Sequence, residues 1–101
     1  MKLPPDTQFA AGNRGPGWFY VVLARPPRRA GPDLLTEARR LGAIVAKIPH
    51  EPGEAWTDDD GERETVRVLE AGGIAVWRFA TREDTIAAAE RIRRELTAVR
   101  H

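Results

Sequence analysis

The chain has 101 residues, 42% hydrophobic and 31% charged, with 16 basic and 15 acidic side chains for a net charge of +1. A single core is expected at that length, and so small a net charge gives no global pull toward nucleic acid or a membrane surface. Cysteine and serine are absent and the two histidines are His50 and His101, so disulfides, Cys-ligated zinc and Ser or Cys nucleophilic triads are excluded and no cofactor is implied.

Residues 1 to 17 (MKLPPDTQFAAGNRGPG) hold three of the eight prolines and three of the nine glycines without a sustained apolar period. They read as an N-terminal arm ahead of one domain at 18 to 101. Neither the opening residues nor any later run has the length of apolar sequence that a signal peptide or membrane span needs, so a cytoplasmic protein is expected. Residues 18 to 24 (WFYVVLA) are aromatic and β-branched, bounded by Gly17 and Pro26, and predict a central strand. A Pro/Arg loop follows, then a helix with Pro32 near its first turn, Asp33 at its positive end, an apolar stripe of Leu34, Leu35, Ala38 and Leu41, and Gly42 after its last turn. Residues 43 to 48 (AIVAKI) predict a second strand. Residues 49 to 64 form a long, acidic, turn-rich loop.

Residues 65 to 71 admit two assignments: a strand paired with 74 to 80 across a Gly72-Gly73 hairpin, or a helix stopped by those glycines. The hairpin sets Val66 opposite Phe79 and Val68 opposite Trp77, whereas a helix sets Val66 and Val68 about 200° apart, so the hairpin is favoured. The last element is a helix opened by Thr81 and Asp84 at capping-box spacing, with Ile86, Ala89, Ile92, Leu96 and Val99 as its stripe. The resulting fold class is α+β: an antiparallel sheet with two helices on one face, in the order β-α-β-β(hairpin)-β-α. A parallel three-stranded βαβαβα arrangement is the alternative should residues 62 to 71 be helical.

In that order, residues 73 to 79 (GIAVWRF) and the following ATRED resemble the third strand and helix start of an RNA-recognition-motif domain. Phe19-Tyr20-Val21 is similar to that family's first-strand motif, and Asp33-Leu34-Leu35 with Leu41-Gly42 to its first helix. The same elements resemble SPOR modules and the YCII-related group of small ferredoxin-like proteins. The resemblance implies a ferredoxin-like (RNP-like) sheet. It also implies base-stacking rings on one sheet face, but Ile74 and Val76 occupy two of those positions here, which leaves Tyr20 and Trp18.

Few residues offer chemistry. His50 with Glu51 and Glu54, near Asp58, Asp59 and Asp60, is a candidate acid/base group, and an EF-hand reading fails on spacing. Trp56 in the same loop reads as a lid or a partner anchor. Gly12, Gly15 and Gly17 precede a strand, the wrong context for a phosphate loop. Arg25, Arg28 and Arg29 (RPPRR) lie between a strand and a helix start, where they are candidate phosphate ligands. Residues 1 to 50 carry 8 basic and 3 acidic groups, and residues 51 to 101 carry 8 and 12, so any basic patch is local.

The open sheet face would combine Trp18, Tyr20, Val22, Val45, Leu69, Ile74 and Val76 with Lys47, Arg67 and Arg78. A face so apolar is expected to be covered, by the arm through Leu3 and Phe9 or by another chain. The leading expectation is a non-catalytic module that binds a protein partner or a second copy through this face, and through a sheet edge where one is exposed. The alternatives are binding of RNA or single-stranded DNA through Trp18, Tyr20, Arg78 and the RPPRR loop, and a small ferredoxin-like enzyme using His50.

Overall fold

The run WFYVVLA does form the central strand. A computed structural model of the chain, describing residues 3 to 48 and 59 to 99, contains β1 (Gln8–Gly15), β2 (Trp18–Ala24), α1 (Pro32–Leu41), α2 (Asp59–Glu70), β3 (Ile74–Phe79) and α3 (Arg82–Val99). The sheet order is β1-β2-β3, and both neighbouring pairs are antiparallel. Because β2 lies between partners and between helices, Tyr20 through Ala24 are all buried.

Side-chain alternation along β2 and β3 divides the core in two. Val21, Leu23, Ala75, Trp77 and Phe79 pack against Val68 and Leu69 of α2 and Ala88, Ile92 and Leu96 of α3. Tyr20, Val22, Ala24, Ile74 and Val76 pack against Leu34, Leu35 and Ala38 of α1. The described residues are therefore layered helix, sheet, helix, with α1 on one face and α2 and α3 on the other.

Several expectations are corrected by this arrangement. The chain is α+β with an antiparallel sheet, but the element order is β-β-α-α-β-α, the two predicted helices lie on opposite faces, and the parallel alternative is not adopted. The segment read as an arm supplies edge strand β1. Pro16 and Gly17, with Gly17 at φ +66°, have the residue order a type II turn requires. Asn13 pins that turn by donating its side-chain amide to the carbonyls of Gly15 (2.8 Å) and Trp18 (3.2 Å). Leu3 and Phe9 do fold back, but onto the α3 side, where the Leu3 N–H donates to Glu95 Oε1 at 2.9 Å.

Residues 65 to 71 do not pair with β3. Gly72 (φ +82°) ends α2 in a Schellman motif: the Gly73 N–H donates to the Val68 carbonyl at 2.8 Å and the Gly72 N–H to Leu69 at 3.0 Å. A Cβ on Gly73 would stand 2.8 Å from Val68 Cγ1, so the second glycine is needed as well as the first. The stripe of α2 is Thr65, Val68 and Leu69, spaced three and one, rather than Val66 with Val68. Residues 43 to 48 make no ladder; a 3.1 Å bond from the Val76 N–H to the Val45 carbonyl holds them beside β3. Leu41 and Ile86, placed in apolar stripes by their spacing, are 51% and 47% exposed.

Gly12 is set by packing rather than by its dihedral angles. It pairs with Tyr20 across the β1–β2 ladder, and a methyl there would lie 2.9 Å from Tyr20 Cε1 and closer still to Cζ and the hydroxyl. The Tyr20 ring is 4% exposed and wedged beneath α1, so it has little room to yield. Gly12→Ala is expected to cost about 1 to 3 kcal/mol in a urea melt, the usual range for overpacking. A neutral result would mean that the ring swings aside freely.

Candidate functional site

The expected open face is closed. Tyr20 (4% exposed), Ile74 (0%) and Val76 (2%) lie beneath Leu34, Leu35 and Ala38. The cover is neither the arm nor a second chain but α1, which crosses the face after the RPPRR loop. Trp18 remains half-buried at its rim, edge-on to Tyr20 at 5.9 Å between centroids. Arg78 stacks over its ring at 4.8 Å and Arg39 at 5.5 Å.

The RPPRR arginines divide in role. Arg25 Nε donates to Asp6 Oδ1 at 2.8 Å, and Arg28 Nε donates to Glu37 Oε1 at 3.0 Å. Arg28 Nη1 also donates to the Gly72 carbonyl, which ties the loop to the end of α2. These two cations, expected as candidate phosphate ligands, are engaged internally with Asp6 and Glu37. Arg29 is exposed. His50, Glu51, Glu54, Trp56 and Asp58 lie outside the described residues. Among the described residues there is no cluster of three metal-ligating side chains and no helix long and apolar enough to cross a membrane.

The hydrogen bond from Arg25 holds the Asp6 carboxyl below its ordinary value, as the bond from Arg67 does for Glu64. A carboxylate whose folded pKa is depressed stabilises the fold at neutral pH, and that contribution is lost as pH falls through the folded value. Both pairs are exposed, so the stability effect is small. Arg25→Met is expected to raise the Asp6 titration midpoint toward the ordinary carboxylate range, about 3.9. A carboxyl-carbon NMR titration reads this directly, and an unmoved midpoint would refute the pairing.

What the fold leaves available is an edge. Strand β1 pairs with β2 on one side, and no described residue pairs with its other side. Alternate residues of an antiparallel edge turn their N–H and C=O groups outward. From Gln8 to Asn13 the strand has no charge and no proline, the usual means of blunting an edge. The ladder register shifts between Asn13 and Gly15, at Arg14.

Beside this edge, on the α3 side, lies a pocket of about 240 Å³ lined by Ala11, Phe19, Thr85, Arg82 and Ile86. Thr81 Oγ1 caps the adjoining helix by accepting from the Asp84 N–H at 3.2 Å, which fixes the Arg82 to Ile86 turn against the hairpin. No residue of β1 was among the expected binding residues. Its signal was the Pro16-Gly17 turn pair between two stretches of comparable length. Comparison of the chain with protein-family models, curated proteins and solved structures finds no match.

Proposed function

We propose that this chain is a polypeptide-binding module whose β1 edge accepts an extended strand from a protein partner. The observation that carries this reading is the edge itself: an eight-residue strand with seven residues paired on one side, uncharged from Gln8 to Asn13, with an apolar pocket alongside. In strand addition the main chain supplies affinity, and pockets for alternate side chains supply selectivity. The pocket by Ala11 is suited to an apolar side chain that projects to the α3 side. A chain without serine or cysteine favours binding over nucleophilic catalysis, and the lack of cysteine is in keeping with a cytoplasmic setting.

The test is selection of displayed random octapeptides on the immobilised full chain. Binders are expected to carry an apolar residue at a fixed position and to slow amide exchange at alternate β1 residues. Selected peptides that leave β1 exchange unchanged, or no binders at all, would overturn the reading.

A second reading has its own observation. Arg39 and Arg78 stack on Trp18, and neither makes an ion pair among the described residues. Two cations over one aromatic ring suit a single-stranded nucleic acid, whose phosphates meet guanidinium groups and whose bases stack. A mixed-sequence oligonucleotide at low salt should then quench Trp18 emission and bind more weakly as salt rises. Salt-independent or undetectable binding would dismiss this reading.

A further inference from the structure

We propose that the strand received by β1 is the β1 strand of a second copy, paired antiparallel about a twofold axis at Ala10. The inference rests on the edge reading above and names its occupant. In an antiparallel pair, outward-facing residues must oppose outward-facing residues, and these alternate along β1. Residues i and j of two identical strands can therefore face each other only when i + j is even, and the axis then passes through a residue. Odd sums would set outward groups against inward ones and exchange the two side-chain faces.

The regular part of the strand, Gln8 to Asn13, leaves two well-overlapped choices, with the axis at Ala10 or at Ala11. With the axis at Ala11, Phe9 stands opposite Asn13, whose amide is committed to the turn, and Arg14 lies opposite Gln8. With the axis at Ala10, Phe9 of each copy stands opposite Ala11 of the other. Phe9 and Ala11 lie on the α3 side, where Phe9 is half-buried beneath Arg93 and Ala11 lines the pocket with Phe19 and Ile86. The Ala10 register thus brings a ring from each copy beside the other's pocket and the 47% exposed Ile86. It also brings exposed Arg14 to the end of the strand where Asp6 of the second copy lies, although that carboxylate already accepts from its own Arg25 at 2.8 Å, so the attraction there is shared. Apolar fit selects the Ala10 register, and the exposed charges at the strand ends do not oppose it.

The chain's lack of cysteine provides a direct test. Residues facing across an antiparallel pair have Cα atoms roughly 4.5 to 5.5 Å apart, within disulfide range, whereas diagonal neighbours fall outside it. Sedimentation equilibrium of the full chain should show a dimer. Under mild oxidation Ala10→Cys should cross-link to itself, and Ala11→Cys should not. Arg14→Glu, which needs no oxidation and leaves β1 uncharged from Gln8 to Asn13, should weaken the dimer on the order of 5-fold, because it turns the exposed attraction toward Asp6 at both strand ends into repulsion.

Cross-linking at Ala11 instead of Ala10, a dimer that cross-links at neither position, or Arg14→Glu without effect would overturn the proposed pairing. A strict monomer would overturn it too. The edge reading would survive a monomer that still takes selected octapeptides along β1, so the two failures are separable.

Discussion

Leu35→Ala is expected to destabilise the protein by about 2 to 5 kcal/mol, the range for truncating a large side chain in a packed core. Leu35 is 2% exposed and lies with Leu34 and Ala38 between α1 and the sheet. The helix is ten residues long, too short to persist alone in water, so its place depends on that contact. What lies beneath gives the loss a second consequence. Tyr20, Val22, Ile74 and Val76 form a continuous apolar surface that α1 covers, with Ala30 and Ile44 at its margins. The variant should therefore bind an apolar dye and aggregate at concentrations where the parent does not. Leu41→Ala, in the same helix but 51% exposed, should stay within about 0.5 kcal/mol. Equal effects at the two positions in urea melts would mean that α1 does not form the cover.

The need for that cover was legible in the sequence, and its identity was not. Alternation in WFYVVLA and IAVWRF marks two apolar faces, and a small domain must bury both. Nothing local says to which face the helix after RPPRR returns; the packing of α2 and α3 on the other face leaves α1 this one. The helices α1 and α3 were readable because Pro32, Gly42 and Thr81 act within a turn of where they stand. Strand β1 was hidden because Ala10, Ala11, Gly12 and Gly15 have little strand preference of their own. Their extended state comes from β2, and Gly12 is there to admit the Tyr20 ring.

The helix α2 was misread through its glycines. A Gly-Gly pair serves a hairpin turn and a Schellman stop equally well, and Val66 with Val68 satisfies a period of two. The deciding residue was Thr65, a polar side chain with 0% exposure that completes the helical stripe with Val68 and Leu69. No periodicity count treats a threonine as core. Its burial becomes intelligible only once Trp77 lies against it.

Trp77→Ala should be among the most destabilising single substitutions, by about 3 to 5 kcal/mol, and the neighbouring hydroxyl accounts for a separable part. Trp77 is fully buried between β3 and the two helices on that face. Its indole N–H donates to Thr65 Oγ1 at 2.9 Å, and that hydroxyl donates to the Gly61 carbonyl at 2.8 Å, one turn earlier in α2. The relay joins β3 to the first half of a helix whose buried apolar contacts, Val68 and Leu69, lie in its second half. Thr65→Val keeps the shape, removes acceptor and donor together, and should cost about 1 to 3 kcal/mol. Trp77→Phe removes the N–H and part of the ring. If the bond acts as described, the double variant should lose about 1 kcal/mol less than the sum of the two single losses. Strict additivity in the urea-melt cycle would assign the whole effect to packing. Because Trp77 and Thr65 lie across β2 from β1, variants of this relay that still fold should leave the proposed strand binding at β1 unaffected.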